Sequence, residues 1–200
     1  KPGTPVSASL IANFIEHAGA SKIITVDIHS RIENDMIKIP LVDLSANRYL
    51  VQFLKSQYKD IKNLVVASPD KGGILRATSF AKLLNVSDVV IIYKERDIQK
   101  ENISRAVKLV GNVAGKDVLI VDDMIDTGGT LIGASELLQK KGAKSIYAVV
   151  THGVFSGSAM ERIKESSIKE IFVTDTIPQK TNEKIKVVSV AKLLADEILE

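Results

Sequence analysis

The amino-acid sequence predicts an α/β fold with a doubly wound parallel sheet. Short apolar runs rich in Val and Ile alternate with longer segments of helical periodicity along almost the whole 200-residue chain. Most intervals between successive runs are long enough for a crossover helix, which indicates right-handed βαβ units. Ligands of such proteins bind outside the carboxyl ends of the strands. The residues that follow each predicted strand are therefore the candidates for a functional site.

The predicted elements follow one another from the start of the chain. The first helix covers residues 7–17, because Pro5 precedes an amphipathic segment and Gly19 follows it. Apolar, β-branched runs predict strands at 22–27, 64–67, 89–93, 118–121, 146–150, 171–174 and 186–188. The segments between them predict further helices at 45–58, 74–84, 131–141, 158–166 and 191–199. Residues 94–102 are almost all charged or polar, which predicts a solvated, mobile loop.

Composition excludes several classes of protein. A hydrophobic fraction of 45% and a charged fraction of 26% are ordinary for a globular domain. The net charge of +3 is too small to indicate binding to nucleic acid or to an anionic membrane. No apolar run approaches the roughly 18–20 residues that span a bilayer. The absence of cysteine excludes disulfides and thiolate metal sites. We therefore expect a cytoplasmic protein without nucleic-acid or membrane partners.

Residues 118–130, with the sequence VLIVDDMIDTGGT, carry the strongest functional signal. A buried strand is predicted to end at two carboxylates, and a short loop then leads into an amphipathic helix. Backbone N–H groups and the helix dipole favour a phosphate at such a helix N-terminus, and glycines allow it to approach closely. The carboxylates suit sugar hydroxyls or a divalent cation. The predicted sugar-phosphate site is Asp122, Asp123, Asp126, Thr127, Gly128, Gly129 and Thr130. The alternative is a plain turn capped by Asp126 or Thr127.

A second loop of the same kind follows the predicted strand at 64–67. It reads SPDKGG, and its backbone amides could hold a pyrophosphate while Lys71 supplies a positive charge. Asp70 could face a metal ion, and Gly72 and Gly73 would allow close approach. Pro-Asp and Gly-Gly are also ordinary turn formers, so a simple turn is the alternative.

Two further groups of residues follow predicted strands. His29 comes just after the strand at 22–27 and could share a divalent ion with Asp70, although a lone histidine is more often an ordinary surface or core residue. Lys94 and Arg96 follow the strand at 89–93 and could close over phosphates, stabilising charge in a transition state. The alternative for that segment is a purely solvated loop.

Taken in order, the motifs resemble one family along nearly the whole chain. These motifs are DIHS at 27–30, SPDKGG at 68–73, KER at 94–96, VDDMIDTGGT at 121–130, THGVFSG at 151–157 and TDTIP at 174–178. They resemble the ribose-phosphate pyrophosphokinases, which belong to the type I phosphoribosyltransferase superfamily. The resemblance implies that superfamily's fold and transfer of the pyrophosphoryl group of ATP to C1 of ribose 5-phosphate, with magnesium as cofactor.

The resemblance also implies a role for each matching residue. It implies that Asp126, Thr127, Gly128, Gly129 and Thr130 hold the 5-phosphate, and that Asp122 and Asp123 face the ribose hydroxyls. It implies that Asp70, Lys71, Gly72 and Gly73 form a pyrophosphate loop. His29 and Asp70 would contact magnesium, and Lys94 and Arg96 would form a catalytic clamp.

The family pattern implies two similar domains and a homo-oligomer, typically a hexamer. On that pattern residues 1–43 would be the end of a first phosphoribosyltransferase-like domain and residues 44–184 a complete second one. Residues 185–200 would be a strand and a helix that return toward the first domain. The 200 residues alone are then expected to bind ribose 5-phosphate but to form little product. Two alternatives stay open: a non-catalytic, synthase-like regulatory subunit, and a phosphoribosyltransferase that consumes phosphoribosyl pyrophosphate.

Overall fold

The structure is a computed structural model that describes residues 7–29, 37–58, 63–96, 104–179 and 183–199. The described helices are α1 (Ser7–His17), α2 (Asn47–Gln57), α3 (Ile74–Leu84), α4 (Gly129–Lys140), α5 (Ala159–Glu165) and α6 (Ala191–Ile198). The described strands are β1 (Ile23–Val26), β2 (Leu41–Leu44), β3 (Leu64–Ser68), β4 (Val89–Arg96), β5 (Ser104–Val110), β6 (Asp117–Ile125), β7 (Ser145–Gly153), β8 (Ile168–Thr174) and β9 (Ile185–Val188).

Seven of these strands form one sheet in the order β5-β4-β3-β6-β7-β8-β9. Neighbouring strands are parallel except for β4 and β5, which are antiparallel. The predicted α/β fold is therefore confirmed, with one correction: the sheet has an antiparallel edge strand that was not predicted. Only residues 97–103 join β4 to β5, which is too short for the crossover that a parallel pair requires.

Apolar side chains cover both faces of this sheet. Alternate residues of a strand point to opposite faces, so Val118 and Ile120 of β6 lie in one cluster and Leu119 and Val121 in the other. Helices α4 and α5 pack on the first face through Leu131, Leu138 and Ile163, among others. The second face packs against α2 and α3, whose buried residues include Leu50, Leu54, Ala77, Phe80 and Leu84. The sheet is thus covered by helices on both sides, as doubly wound folds require.

The first part of the chain forms a separate small unit. Strands β1 and β2 pair in parallel, with Ile23 opposite Leu41 and Val26 opposite Leu44. Strand β2 was not predicted, because a run of four residues containing Asp43 shows little periodicity. Helix α1 has the predicted bounds, and its side chains Leu10, Ile11 and Phe14 are more than half exposed.

The end of the chain differs in part from the expectation for residues 185–200. Strand β9 pairs in parallel with β8 and forms an edge of the seven-stranded sheet. Helix α6 contacts both parts, since Leu193 and Leu194 pack against the cluster formed with α2 and α3, and Glu197 forms an ion pair with Lys22. Strand β9 therefore belongs to the large sheet, α6 also contacts the first part of the chain, and the domain bounds stay a prediction. Within the described ranges, no helix is long and apolar enough to cross a membrane.

Candidate sugar-phosphate site

A cleft of about 410 Å³ opens at the carboxyl ends of β3 and β6. Strand β3 lies between β4 and β6, so the chain moves to one side of β3 first and to its other side later. Such a reversal of strand order separates the two following loops and leaves a crevice between them. The cleft is lined by His29, Asp70, Gly72, Gly73, Arg76, Asp122, Asp123, Met124, Ile125, Asp126, Thr127, Gly128, Gly129, Thr130 and Leu131. All seven residues of the predicted sugar-phosphate site are among them.

The phosphate loop of this site lies between β6 and α4. Strand β6 extends to Ile125, beyond its predicted end at Val121, so the two carboxylates belong to the strand itself. Gly128 has a φ of 77° and is the N-cap of α4, which has no side-chain cap. The alternative of a turn capped by Asp126 or Thr127 is therefore wrong. The first backbone N–H groups of α4 lack partners within the helix, as at every helix N-terminus, and can bind an anion.

The motif at 151–157 forms hydrogen bonds to the residues at the start of the phosphate loop. The backbone N–H groups of Val154 and Phe155 both donate to the carbonyl oxygen of Ile125, at 2.9 and 3.1 Å. The N–H of Ser156 donates to the carbonyl oxygen of Asp126 at 3.1 Å, and its hydroxyl donates to the Asp126 carboxylate. These contacts fix the point at which the chain leaves β6. The motif therefore acts by shaping the neighbouring loop.

The predicted pyrophosphate loop is held by its own side chains. The buried Ser68 hydroxyl donates to the carbonyl oxygen of Asp70 at 2.7 Å, and the Gly73 N–H donates to the Asp70 carboxylate at 3.1 Å. A Cβ at Gly73 would lie 2.9 Å from the Ser68 hydroxyl oxygen, so any side chain there would displace this hydroxyl from its position. Asp70, Gly72 and Gly73 line the cleft. Lys71 is not among the lining residues, and its Nζ lies 5.1 Å from the centre of the Tyr93 ring.

The two carboxylates of β6 have side-chain partners from two other segments of the chain. Arg76 of α3 places Nη2 at 3.1 Å from Asp123 and Nη1 at 3.5 Å from Asp122. The Nδ1 of His29 lies 2.7 Å from the Asp123 carboxylate. Arg76 was not among the predicted site residues. The available signal was its spacing, because it falls three residues after Gly73, in the first turn of the helix that follows the loop.

The adjacent carboxylates have different proton affinities. Burial raises the pKa of Asp122 to about 7, and the neighbouring Asp123 and Asp70 carboxylates add to the shift. Burial also opposes ionisation of Asp123, but hydrogen bonds from His29 and Asp122 and the charge of Arg76 outweigh it and lower the pKa. Asp123 is therefore the ionised member of the pair, and Asp122 is the member that can hold a proton near neutral pH.

The predicted metal residues, His29 and Asp70, both line the cleft. Within the described ranges, the polar partner of the His29 ring is Asp123. In the part of the chain that the structure describes, no three His, Asp or Glu side chains are grouped to hold a metal ion. Two side chains with one imidazole do not form a protein cage, but they fit a cation that takes most of its ligands from phosphates and water.

The predicted catalytic residues Lys94 and Arg96 lie in β4, which corrects the prediction of a loop beginning at residue 94. Lys94 is opposite Ala106 and Arg96 is opposite Ser104 in the antiparallel ladder with β5. The register shifts between Tyr93 and Lys94, as at a β-bulge. The side chains of Lys94 and Arg96 lie outside the described part of the structure, as do residues 97–103. Their predicted mobility and clamp role stay predictions.

Residues 100–200 match the family described as the phosphoribosyl synthetase-associated domain. The chain belongs to this family. The resemblance inferred from the ordered motifs is thereby confirmed.

Two proteins that are similar to this chain share one name. The chain is 44% identical over 198 residues to a protein of Wolinella succinogenes named ribose-phosphate pyrophosphokinase, covering 98% of this chain and 62% of that protein. It is 44% identical over 203 residues to one of Caldanaerobacter subterraneus with the same name, covering 100% of this chain and 63% of that protein.

A solved structure is similar as well. The crystal structure of phosphoribosylpyrophosphate synthetase from Mycobacterium smegmatis is 36% identical, with a TM-score of 0.87 over 98% of this chain and 64% of that one. The chain thus spans less than two thirds of the length of the relatives it matches.

Proposed function

We propose that this protein is a ribose-phosphate diphosphokinase. It would transfer the β,γ-pyrophosphoryl group of ATP to the C1 hydroxyl of ribose 5-phosphate. In this step the bond from the C1 oxygen to the β-phosphorus forms, and the bond between that phosphorus and the oxygen bridging to the α-phosphorus breaks. The hydroxyl proton is lost, and the products are phosphoribosyl pyrophosphate and AMP.

The observation that carries the proposal is one cleft that combines two kinds of recognition. The uncapped N-terminus of α4 offers backbone N–H groups to the 5-phosphate, and Thr127 and Thr130 add hydroxyl donors. Asp122 and Asp123 face the same cleft and can accept hydrogen bonds from ribose hydroxyls. The loop at Asp70 and Gly73 forms the opposite wall, where the transferred pyrophosphoryl group would lie.

Reactions of this kind depend on positioning and charge neutralisation more than on covalent chemistry. Magnesium would neutralise the phosphate oxygens of ATP, and Asp70 with His29 would hold it. These two residues fit magnesium because it commonly keeps waters and substrate phosphates as ligands. Lys94 and Arg96 would close over the phosphates as a clamp, and Lys71 would contribute positive charge near the rim.

We also propose where the protein acts and how it assembles. ATP and sugar phosphates are metabolites of the cytoplasm, so we place the activity there. A homo-oligomer, with a hexamer as the family's typical state, is the expected assembly. The names of the relatives do not favour a non-catalytic subunit or a phosphoribosyltransferase that consumes phosphoribosyl pyrophosphate.

Titration calorimetry with ribose 5-phosphate tests the site directly. Substitution Thr130→Val keeps the side-chain shape but removes the hydroxyl beside the phosphate loop. We expect affinity to fall about tenfold, which corresponds to about 1.4 kcal/mol. The matched control is Thr78→Val on the exposed face of α3, where the hydroxyl donates only to Ile74 within its own helix. The control should bind as the unsubstituted protein does.

The activity is tested by following AMP release from ATP and magnesium in the complete protein. Release that requires ribose 5-phosphate supports the diphosphokinase. Consumption of phosphoribosyl pyrophosphate with a nucleobase instead, or binding without either reaction, would contradict it and favour one of the two alternatives. Absence of ribose 5-phosphate binding by folded protein would reject the sugar-phosphate site itself.

A further inference from the structure

We propose that Asp27 is a positioning residue that holds His29 against Asp123 and so fixes one wall of the cleft. This inference deepens the proposed function and, for its catalytic consequence, rests on it. Among the described residues that line the cleft, His29 is present and Asp27 is not. Asp27 would therefore act on the site through His29.

The position of His29 requires a support from outside the cleft. Its side chain is 60% exposed, and it follows the short two-stranded sheet rather than a strand of the large one. Even so, its ring nitrogen lies 2.7 Å from the Asp123 carboxylate. An exposed side chain in the turn after a strand has many accessible conformations, and ordering it costs conformational entropy. A rigid backbone at residues 27 and 28 reduces that cost.

The backbone at Asp27 is held in an unusual conformation. Its φ is 45°, in the left-handed region that residues other than Gly, Asn and Asp rarely adopt. Its N–H donates to the carbonyl oxygen of Leu44 at 2.8 Å. Its carbonyl oxygen lies 3.2 Å from Nε2 of His152. Such a conformation persists only where the surroundings determine it, and here both backbone groups of the residue have partners.

The Asp27 carboxylate ties this turn to two segments of the larger part of the structure. Its Oδ2 accepts from the N–H of Ala46 at 3.1 Å, just before α2, and from the hydroxyl of Thr151 in β7 at 2.6 Å. Thr151 is buried, and its carbonyl oxygen accepts in turn from the buried Thr174 of β8 at 2.7 Å. The turn that bears His29 is thus fastened to the central strands of the large sheet.

A second carboxylate completes the support. Asp43 of β2 accepts from the N–H of Ile28 at 3.1 Å and from the Thr25 hydroxyl at 2.8 Å. Hydrogen bonds at Asp27 and Ile28 therefore fix the direction in which the chain reaches His29. Loss of the Asp27 carboxylate would release the anchor to Thr151 and Ala46 together. His29 should then lose its fixed contact with Asp123.

Nuclear magnetic resonance of the imidazole rings tests this without reference to catalysis. The chain has only three histidines, so single His→Gln variants assign their signals. In the otherwise unsubstituted protein, Asp123→Asn should shift the His29 ring signals, because the two side chains are in contact. In an Asp27→Ala background the same change should produce less than half of that shift.

Three further variants keep the test decisive. The response is the shift of the His29 ring signals that Asp123→Asn causes. Asp27→Asn retains a side-chain oxygen and tolerates a positive φ, so in this variant most of the response should return. Thr151→Val removes one of the hydrogen bonds to the carboxylate and should give an intermediate response if Asp27→Ala proves too unstable. Asp88→Ala, which removes a surface ion pair with Lys116 at the opposite end of the strands, should leave the response unchanged. A full response in both Asp27→Ala and Thr151→Val would overturn the proposal.

Steady-state kinetics of the complete protein test the catalytic consequence. Asp27→Ala alone should lower kcat/KM at least tenfold, but in a His29→Ala background it should lower it by less than twofold. Losses that multiply in the double variant would reject action through His29. If the protein forms no AMP at all, the proposed function fails, and the resonance experiment still decides whether Asp27 positions His29.

Discussion

At the scale of single residues, Arg76 brings a positive charge to the paired carboxylates of the cleft. Its guanidinium contacts both Asp122 and Asp123, and its side chain is 26% exposed. Without it, two neighbouring carboxylates would face a ligand that itself carries a phosphate. Partly buried charge pairs with hydrogen bonds contribute more than exposed ones, because water screens them less.

We predict that Arg76→Ala weakens ribose 5-phosphate binding by at least tenfold, and Arg76→Lys by less. Lysine keeps the positive charge but cannot contact two carboxylates with one planar group. Calorimetry measures both, with Lys82→Ala as the control, since Lys82 is exposed in the last turn of the same helix. Equal binding by Arg76→Ala and the control would show that the arginine has no part in charge balance.

Asp122 makes the stability of the fold depend on pH. The pKa of this carboxyl is raised from its ordinary value of 3.8 to about 7 in the folded protein, so the folded state holds a proton that the unfolded state releases between these values. The stabilisation is complete below the unfolded pKa and is lost as the pH rises through the folded one. Asp123, whose pKa is lowered, acts in the opposite sense and only below its ordinary range.

Substitution Asp122→Asn should therefore change the pH dependence of unfolding. The amide resembles the neutral acid and cannot ionise in the unfolded state, so we expect Asp122→Asn to gain stability over the unsubstituted protein already at pH 5 and to gain more at pH 7.5. One proton contributes at most about 1.4 kcal/mol per pH unit. Urea unfolding at the two pH values measures the difference. The same effect of Asp122→Asn at both would contradict the raised pKa.

At the scale of elements, the start of α4 depends on one glycine conformation. Gly128 turns the chain from β6 into the helix with a φ of 77°, which exposes the first N–H groups of α4 to the cleft. A Cβ there would lie 3.4 Å from Ile132 and 3.8 Å from Ala159, so contacts are tight but not prohibitive. The main cost of a side chain at this position is the positive φ itself.

Two alanine substitutions in this element should have opposite effects. Gly128→Ala should destabilise the protein by about 1 kcal/mol and weaken ribose 5-phosphate binding. Gly133→Ala, in the interior of the same helix with no atom within 4 Å of an added Cβ, should stabilise it by roughly 0.5–1 kcal/mol. Thermal unfolding and calorimetry compare them. Matching effects of the two substitutions would show that the turn conformation is unimportant.

At the scale of the whole molecule, helix α1 leaves an apolar surface uncovered. Leu10, Ile11 and Phe14 are 54%, 55% and 61% exposed, whereas Ala12 on the opposite side is 4% exposed. Contiguous apolar side chains of this size promote association. We propose this surface of α1 as the place where the expected assembly forms; the assembly itself stays a prediction.

The 200-residue chain should therefore self-associate through α1. Phe14→Glu should shift the distribution of oligomeric states toward monomers, as measured by light scattering at tens of micromolar protein. Asn13→Glu adds the same charge on the neighbouring exposed position and serves as the control. A monomeric unsubstituted chain, or an equal effect of the two substitutions, would contradict a role for this apolar surface.

The sequence by itself determined the local elements and the chemistry of the loops. Helix α1 was predicted with its observed bounds, and the strands at β3, β6, β7 and β8 were found because buried parallel strands are continuous apolar runs. The loop at Asp126–Thr130 was predicted to bind a phosphate because its glycines, directly before an amphipathic helix, let an anion approach the helix N-terminus. These are local signals, readable from neighbouring residues.

Only the tertiary structure decided which residues meet. Strand order placed the loops after β3 and β6 on the two sides of one cleft, and this order is set by packing among distant segments. Arg76 was missed because an arginine in a helix is ordinarily solvated, and its partners lie 46 and 47 residues further along the chain. Strand β5 was missed because its pairing with β4, rather than its own pattern, makes it a strand. The structural role of Asp27 was invisible for the same reason, since its partners come from β2, the start of α2 and β7.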